Sequence, residues 1–189
     1  MATYASLNLG YFALLQDIPK RIITSSTIDA MHRMARTGKS DWAWVKHITQ
    51  MVAGCASKDY YCEAKTVFDS FHDLIWNQNW FRYIRDPHQV ELVESPWQLY
   101  LRRASDCDGW ASLMAAAAGA IGAPYRFVTI AADPNRPSDP SHVYTEIWIP
   151  KGNGQEGRWV GADLTVKSAT FGWEPPPEYK RTYWREPKY

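Results

Sequence analysis

Residues 106–110 read Asp106-Cys107-Asp108-Gly109-Trp110 and open a run of small, helix-forming residues that stops at Gly122. Asp is a common N-cap, and Gly often ends a helix in the left-handed conformation, so this pattern predicts a helix that starts beside Cys107. Backbone N–H groups in the first helical turn and the helix dipole favour a thiolate, which is the nucleophilic form of cysteine. The same N–H groups could hold the oxyanion of an acyl-transfer intermediate.

The residues after this helix predict an antiparallel sheet that carries a histidine and an aspartate. His142 opens the second expected strand, and Asp163 lies near the middle of the third. Adjacent antiparallel strands can place His142 beside Asp163, and a helix packed across the sheet can place Cys107 on the other side of the imidazole. The three strands are predicted at 125–132, 142–150 and 159–166. A Gly-rich turn is expected over 151–158, between the second and the third.

One pattern of residues runs through this whole region. It comprises the Asp-Cys-Asp motif, Ile121-Gly122-Ala123-Pro124, His142 at a strand start, and Asp163-Leu164-Thr165. In this order the residues resemble the transglutaminase-like superfamily. The resemblance covers residues 75–168. Within this range, the segment upstream of Cys107 also resembles bacterial and phage-encoded members, through Phe81, Tyr83, Asp86, Glu91, Pro96 and Leu99. It implies an α+β, papain-like fold in which N-terminal helices precede a catalytic helix packed on a small antiparallel sheet.

The resemblance also implies a Cys-His-Asp triad. Cys107 would attack a carboxamide or peptide carbonyl, and Asp163 would orient the imidazole of His142. His142 would take the thiol proton, or already hold it in an ion pair, and later protonate the leaving amine. The thioester would then be resolved by water, as in a protease, peptidase or amidase, or by an amine, as in cross-linking. One oxyanion donor would be the Cys107 N–H, and a side-chain donor is expected upstream, with three unranked candidates: Trp80, Trp97 and Gln98.

Two acidic residues flank the nucleophile. Asp106 is assigned to capping the helix. Asp108 stands where members of this family often carry an acid, but a carboxylate there would raise the pKa of the cysteine by like-charge repulsion. The sequence leaves this conflict open.

Composition limits the class of function. The chain has 189 residues, is 46% hydrophobic and has a net charge of +1, which predicts one domain with a real core and no strong attraction to nucleic acid or to an anionic membrane. No signal peptide is evident, so a cytoplasmic location is expected, and the resemblance to phage-encoded members suggests association with a virion. No stretch is long and apolar enough to predict a membrane span.

No cofactor and no metal are expected. The histidines outside the pattern lack metal-ligand spacing, and no acidic loop has the spacing of a calcium site. We interpret these histidines as surface or core residues: His32, His47, His72 and His88. Three cysteines at irregular spacing do not form a disulfide framework, and Cys55 and Cys62 could pair only if the turn between them allowed it. Both are expected to be reduced core residues.

Three regions are predicted: an N-terminal helical region (1–74), the transglutaminase-like core (75–168) and a Pro-rich, aromatic C-terminal tail (169–189). Helices are expected from Ser25 to Arg36 with Gly38 as the stop, over 41–54, over 59–76, and after Ser95-Pro96. The apolar residues predicted to line the third helix are Ala64, Val67, Phe68, Phe71 and Ile75.

The aromatic residues have two interpretations. Ten Trp and eleven Tyr are either large core residues or an aromatic surface for a protein partner, and the tail either straps across the body or docks such a partner. The leading function is thiol-dependent acyl transfer on a protein or peptide substrate. The alternative is a catalytically silent structural or assembly protein with the same fold.

Overall fold

A computed structural model describes residues 6–8, 12–16, 23–87, 90–151 and 156–186. In chain order its elements are β1 (Ser6–Asn8), β2 (Phe12–Gln16), α1 (Ser25–Ser40), α2 (Trp42–Met51), α3 (Tyr60–Trp76), β3 (Arg82–Tyr83), β4 (Val90–Glu94), α4 (Pro96–Arg102), β5 (Ala104–Ser105), α5 (Cys107–Ala120), β6 (Tyr125–Ala131), β7 (His142–Ile149), β8 (Arg158–Ala162) and β9 (Lys180–Arg185). The mixed helix-and-sheet fold confirms the predicted α+β class.

The helices predicted ahead of the Cys107 motif are present, and side chains fix their starts. Thr24 Oγ1 accepts the Thr27 N–H at the start of α1. Asp41 caps α2, and Asp59 caps α3 by accepting the Cys62 N–H. The predicted apolar stripe of α3 is buried throughout: Ala64, Val67, Phe68, Phe71 and Ile75.

Gly38 does not end α1, contrary to the prediction. The helix continues to Ser40, and Gly38 is buried within it. A Cβ at this position would lie 2.8 Å from both Ala116 Cβ and Pro96 Cγ. The glycine therefore serves the close approach of α1 to α5 and α4 rather than helix termination.

The predicted N-terminal helical region (1–74) is not entirely helical, since it also contains β1 and β2. β2 pairs antiparallel with β1 and with β4, with Ala13 opposite Val93 and Leu15 opposite Glu91. Ala13 and Leu15 are both buried. Strands this short give a weak local pattern, and the partner strand β4 lies about 80 residues away in sequence.

α5 packs on the four-stranded antiparallel sheet, whose strand order is β8-β7-β6-β9. The small residues from Ala111 to Ala118 are buried, which lets the helix lie close to both α1 and β7. α5 ends as predicted. Gly122 has φ +78°, and a Schellman motif is closed by the bonds Gly122 N–H to Gly119 O (3.1 Å) and Ala123 N–H to Ala118 O (2.9 Å).

The C-terminal segment contributes the outer strand of this sheet. β9 pairs antiparallel with β6 over Arg126–Ala131. The Trp184 indole N–H donates to Thr129 Oγ1 at 3.0 Å. Of the two arrangements predicted for the C-terminal tail, the structure has the one in which this segment lies across the body of the protein.

Cys55 and Cys62 form a disulfide, so the prediction that both are reduced core residues is wrong. The turn between α2 and α3 brings their Cα atoms to 5.8 Å, within the usual range for a disulfide. Both residues are partly exposed rather than in the core. The bridge depends on the shape of that turn, which cysteine spacing alone does not define.

Candidate active site

The structure brings Cys107, His142 and Asp163 together at one end of the β7–β8 pair. His142 Nε2 donates to Asp163 Oδ2 at 2.7 Å. His142 is the first residue of β7, and Asp163 directly follows the last residue of β8, so the antiparallel pairing presents both at the same end. Cys107 begins α5, which is held on β7 by the hydrogen bond from Thr145 Oγ1 to Ala111 O (2.7 Å).

Asp163 lies just outside the strand in which it was predicted, because β8 ends at Ala162. Its Oδ1 accepts two hydrogen bonds from Thr165, one from the backbone N–H (2.9 Å) and one from Oγ1 (2.7 Å). With the bond from His142, the carboxylate is thus held on both oxygens. In a turn, the backbone N–H two residues later can donate to the carboxylate in this way. In a strand, that N–H would be directed to the neighbouring strand instead.

Two side chains of α3 hold the same turn. The Trp76 indole N–H donates to Leu164 O at 3.0 Å, and His72 Nε2 donates to Val166 O at 3.1 Å. The two residues are four apart and therefore share one face of the helix. This role of His72 was not predicted from the sequence. The sequence signal for it is the spacing of four residues between His72 and Trp76, which places two ring N–H donors on one half-buried face of α3.

The surroundings of His142 favour the imidazolium. Burial acts to lower the pKa of His142, but the hydrogen bond and charge of Asp163, together with the adjacent Cys107 sulfur, raise it to about 10. Burial acts to raise the pKa of Asp163, but the bonds from His142 and Thr165 hold it below its ordinary value. Since Nε2 is bonded to Asp163, Nδ1 is the ring nitrogen left for the sulfur. Cys107 is 7% exposed and the His142 side chain is 23% exposed, so only a small part of this pair is accessible to solvent.

Asp108 is fully buried, and this burial bears on the conflict noted from the sequence. Burial, followed by the charge and hydrogen bond of Asp106 and the charge of Glu91, raises the pKa of Asp108 well above its ordinary value. This shift favours the neutral form of the Asp108 carboxyl group, which places less negative charge beside the Cys107 sulfur.

Asp106 occupies the N-cap position of α5 as predicted, but its side chain does not cap the helix. Its Oδ2 instead accepts the Asp86 N–H at 3.5 Å, and its carboxyl group interacts with Asp108. The N–H groups of the first turn of α5 are consequently not occupied by the cap side chain. This matters for chemistry because those N–H groups point out of the helix beside Cys107.

Asp86 and Glu91 complete an acidic group near the nucleophile. Burial and the neighbouring Asp106 raise the pKa of Asp86 to about 6. Burial, then the charges of Asp106 and Asp86, raise that of Glu91 to about 8. Asp86 also accepts the Leu92 N–H, which links the turn before β4 to that strand. Both acids belong to the family pattern found in the sequence, but no role was predicted for either.

Of the three expected side-chain oxyanion donors, Trp97 and Trp80 have other contacts and Gln98 is exposed. Trp97 stacks on Tyr100, with ring centroids 5.5 Å apart, in an aromatic cluster around Trp44. Trp80 lies on the surface with the Arg103 guanidinium 3.5 Å from its ring centroid. Gln98 is exposed on α4.

The other predicted histidines fall in different places. His32 is buried against Tyr125 and Phe127, and burial, with the charge of Arg36, lowers its pKa to about 4. Burial also lowers the pKa of His47, which packs on Tyr100. His88 lies outside the described residues, as do four residues of the predicted 151–158 turn.

Within the described ranges, no group of three His, Cys, Asp or Glu side chains is arranged to hold a metal ion. None of the described helices combines the length and the apolar character needed to span a membrane.

Comparison with known proteins identifies a family. The sequence matches the profile of the transglutaminase-like superfamily over residues 46–164, more than half of the chain. A comparison with curated protein sequences found no match.

The chain is also similar to solved structures, at low sequence identity. LapG of Legionella pneumophila is 13% identical, with a TM-score of 0.47, over 82% of this chain and 87% of LapG. A candidate cysteine protease from Cytophaga hutchinsonii is 16% identical, with a TM-score of 0.44, over 82% of this chain and 49% of that protein. The chain thus spans about half the length of the latter.

Proposed function

Because the chain belongs to the transglutaminase-like superfamily, we propose that it is a thiol-dependent acyl-transfer enzyme that hydrolyses amide bonds of a protein or peptide. The observation that carries this proposal is the His142–Asp163 hydrogen bond of 2.7 Å beside a cysteine at the start of a buried helix. A nucleophile, a base and a residue that orients the base are the parts that cysteine acyl transfer requires.

In the first half-reaction the Cys107 sulfur attacks the carbonyl carbon of the scissile amide. The C=O π electrons move to oxygen and form a tetrahedral oxyanion. When this intermediate collapses, the C–N bond breaks and the His142 imidazolium gives its proton to the leaving amine. The raised pKa of His142 keeps that proton available at neutral pH.

In the second half-reaction a water attacks the thioester carbon and His142 accepts the water proton. Collapse of the second oxyanion breaks the C–S bond and releases the carboxylic acid and the Cys107 thiolate. An amine in place of water would give cross-linking by the same steps.

Asp163 acts through His142 in both halves. Its carboxylate fixes the Nε2–H tautomer and stabilises the imidazolium, while Thr165 and α3 hold the carboxylate in place. Loss of such an orienting acid lowers turnover more than it alters substrate binding.

Alkylation of Cys107 tests the proposal directly. The sequence has three cysteines, and Cys55 and Cys62 are bridged, so iodoacetamide labelling under non-reducing conditions reports on Cys107 alone. We expect rapid labelling at pH 6–7 that falls at least about tenfold in His142→Ala, because the imidazolium that favours the thiolate is lost. His47→Ala removes a histidine of the aromatic cluster and serves as the control that retains the rate.

Slow labelling that is unchanged by His142→Ala would contradict the proposal. It would favour the alternative in which the same fold is a silent structural or assembly protein.

A further inference from the structure

We propose that the Tyr83 hydroxyl is a catalytic hydrogen-bond donor that, together with the Cys107 backbone N–H, binds the oxyanion of the tetrahedral intermediates. This inference rests on the proposed function and supplies the side-chain donor that the sequence analysis left unidentified.

The pairing of β3 with β5 gives the position of Tyr83. The two strands are parallel, with Tyr83 aligned to Ser105. Hydrogen bonds from Arg82 N–H to Arg103 O and from Ile84 N–H to Ser105 O, both 2.9 Å, flank this pair. Tyr83 is thereby fixed beside the residue that lies two positions before Cys107.

The side chain of Ser105 shows which face of this pair is turned to α5. A Cβ at Gly109 would lie 1.9 Å from Ser105 Oγ, so the Ser105 side chain contacts the first turn of α5. Aligned residues of neighbouring strands project to the same face of a sheet. The Tyr83 side chain therefore lies on the face that carries the start of α5.

Phe81, directly before β3, packs the chain that enters this strand against α5. Phe81 is buried, and its ring packs on Trp110 of α5 with centroids 5.2 Å apart. The Trp110 indole N–H in turn donates to Ser105 O at 2.9 Å, which ties α5 to β5.

Tyr83 differs from Phe81 in being open to solvent. Phe81 is 1% exposed and Tyr83 is 40% exposed, so the tyrosine stands at the edge of the site, where a substrate can reach it. Burial of part of the ring, followed by the negative charges of Cys107 and Asp106, raises the pKa of Tyr83. Its hydroxyl consequently stays protonated, and able to donate, throughout the pH range of the reaction.

The backbone half of the oxyanion site is available at the same place. Cys107 is the first residue of α5, so its N–H has no partner within the helix, and the Asp106 side chain does not cap it. Attack by the sulfur moves the C=O electron pair onto oxygen, and the two donors bind that oxygen without giving up their protons. Donors of this kind matter most in the transition state, where the charge develops.

Tyr83→Phe removes the donor and keeps the ring. With p-nitrophenyl acetate as the probe, the thiolate displaces p-nitrophenolate and water then hydrolyses the acetyl-enzyme. We expect kcat for ester turnover to fall about 10²- to 10³-fold with little change in KM, as for the loss of an oxyanion donor. Iodoacetamide labelling of Cys107 should stay within about twofold, since alkylation at a methylene carbon forms no oxyanion. Tyr183→Phe, at an exposed tyrosine of β9, is the matched control and should behave as the wild type.

Ester turnover by Tyr83→Phe within about threefold of the wild type would overturn the inference while leaving the proposed function standing. An equal fall in turnover and in labelling would also overturn it, because Tyr83 would then support the thiolate rather than the oxyanion. A wild type that is inert to both reagents would remove the proposed function and this inference with it.

Discussion

The burial and the hydrogen bonds of each acidic residue, rather than its formal charge, determine the electrostatics of this site. Asp106 and Asp108 flank the cysteine, and a count of charges would place two anions there. Burial instead favours the protonated form of Asp108, while Asp163, equally buried, favours the ionised form because Thr165 and His142 donate three hydrogen bonds to it. The number of donors that reach each carboxyl group thus separates the neutral acid from the charged one.

Glu91 makes this electrostatic argument testable through stability. Its pKa is about 8 in the folded chain against an ordinary 4.5, so between these values the folded state binds the extra proton. The free energy of unfolding therefore decreases as pH rises from about 4.5 to 8, by at most about 1.4 kcal/mol per pH unit for one proton. Glu91→Gln removes this titration, so the variant should lose less stability than the wild type between pH 5 and pH 8.

Urea denaturation at pH 5 and pH 8 measures the difference. Glu178→Gln changes an exposed carboxyl group and is the control that should keep the wild-type dependence. An identical pH dependence for Glu91→Gln and the wild type would show that Glu91 titrates normally.

At the level of elements, local signals were sufficient wherever a helix is capped by its own side chains. Asp41, Asp59 and Ser95 stand at the N-caps of α2, α3 and α4, and all three were readable from the sequence. β7, which carries His142, was also predicted almost to the residue. These features depend on neighbours a few residues away.

The missed elements depend on distant partners. β2 is defined by its pairing with β4, and β9 by its pairing with β6, about 55 residues earlier. The same reason applies to the candidate site. His142 and Asp163 were predicted from strand order. The parallel pairing of Tyr83 with Ser105 and the hydrogen bond from α3 to the turn after β8 are tertiary contacts, which strand order does not predict.

Gly38 offers a test of packing between elements. Alanine in a helix interior is favoured over glycine by about 1 kcal/mol, but overpacking a core typically costs about 1–3 kcal/mol. Since the added methyl group would lie 2.8 Å from Ala116 Cβ and Pro96 Cγ, we expect Gly38→Ala to destabilise the chain by up to about 2 kcal/mol.

Gly119→Ala, in α5, is the matched control. Its Cβ would have ordinary contacts of 3.5 Å with Lys39, so helix propensity should win and stabilise the chain by about 0.5–1 kcal/mol. Both free energies can be measured by urea unfolding. Stabilisation by both substitutions would show that α1 and α5 are less closely packed than described.

Across the whole molecule, the two ends of the described chain complete sheets begun in the middle. β2 covers one edge of β4, next to the acidic group, and β9 covers the edge of β6, the strand that pairs with β7. Ile130 of β6 lies opposite His142, so the strand next to the candidate triad is itself flanked by the C-terminal strand. The segment predicted as a tail therefore belongs to the support of the site.

A truncated chain that ends at Glu178 tests this role. It would lose β9, expose the edge of β6 and remove Tyr179 from its packing on Val128 and Ile130. We expect the thermal midpoint to fall by at least about 5 °C, since 1 kcal/mol corresponds to about 2–4 °C in a domain of this size. An uncovered strand edge also pairs readily with other chains, so self-association in size-exclusion chromatography should increase. A chain that ends at Glu186 keeps β9 and should match the full-length protein in both measurements. If the shorter chain stayed monomeric with an unchanged midpoint, β9 would be dispensable for folding and free to dock a protein partner instead.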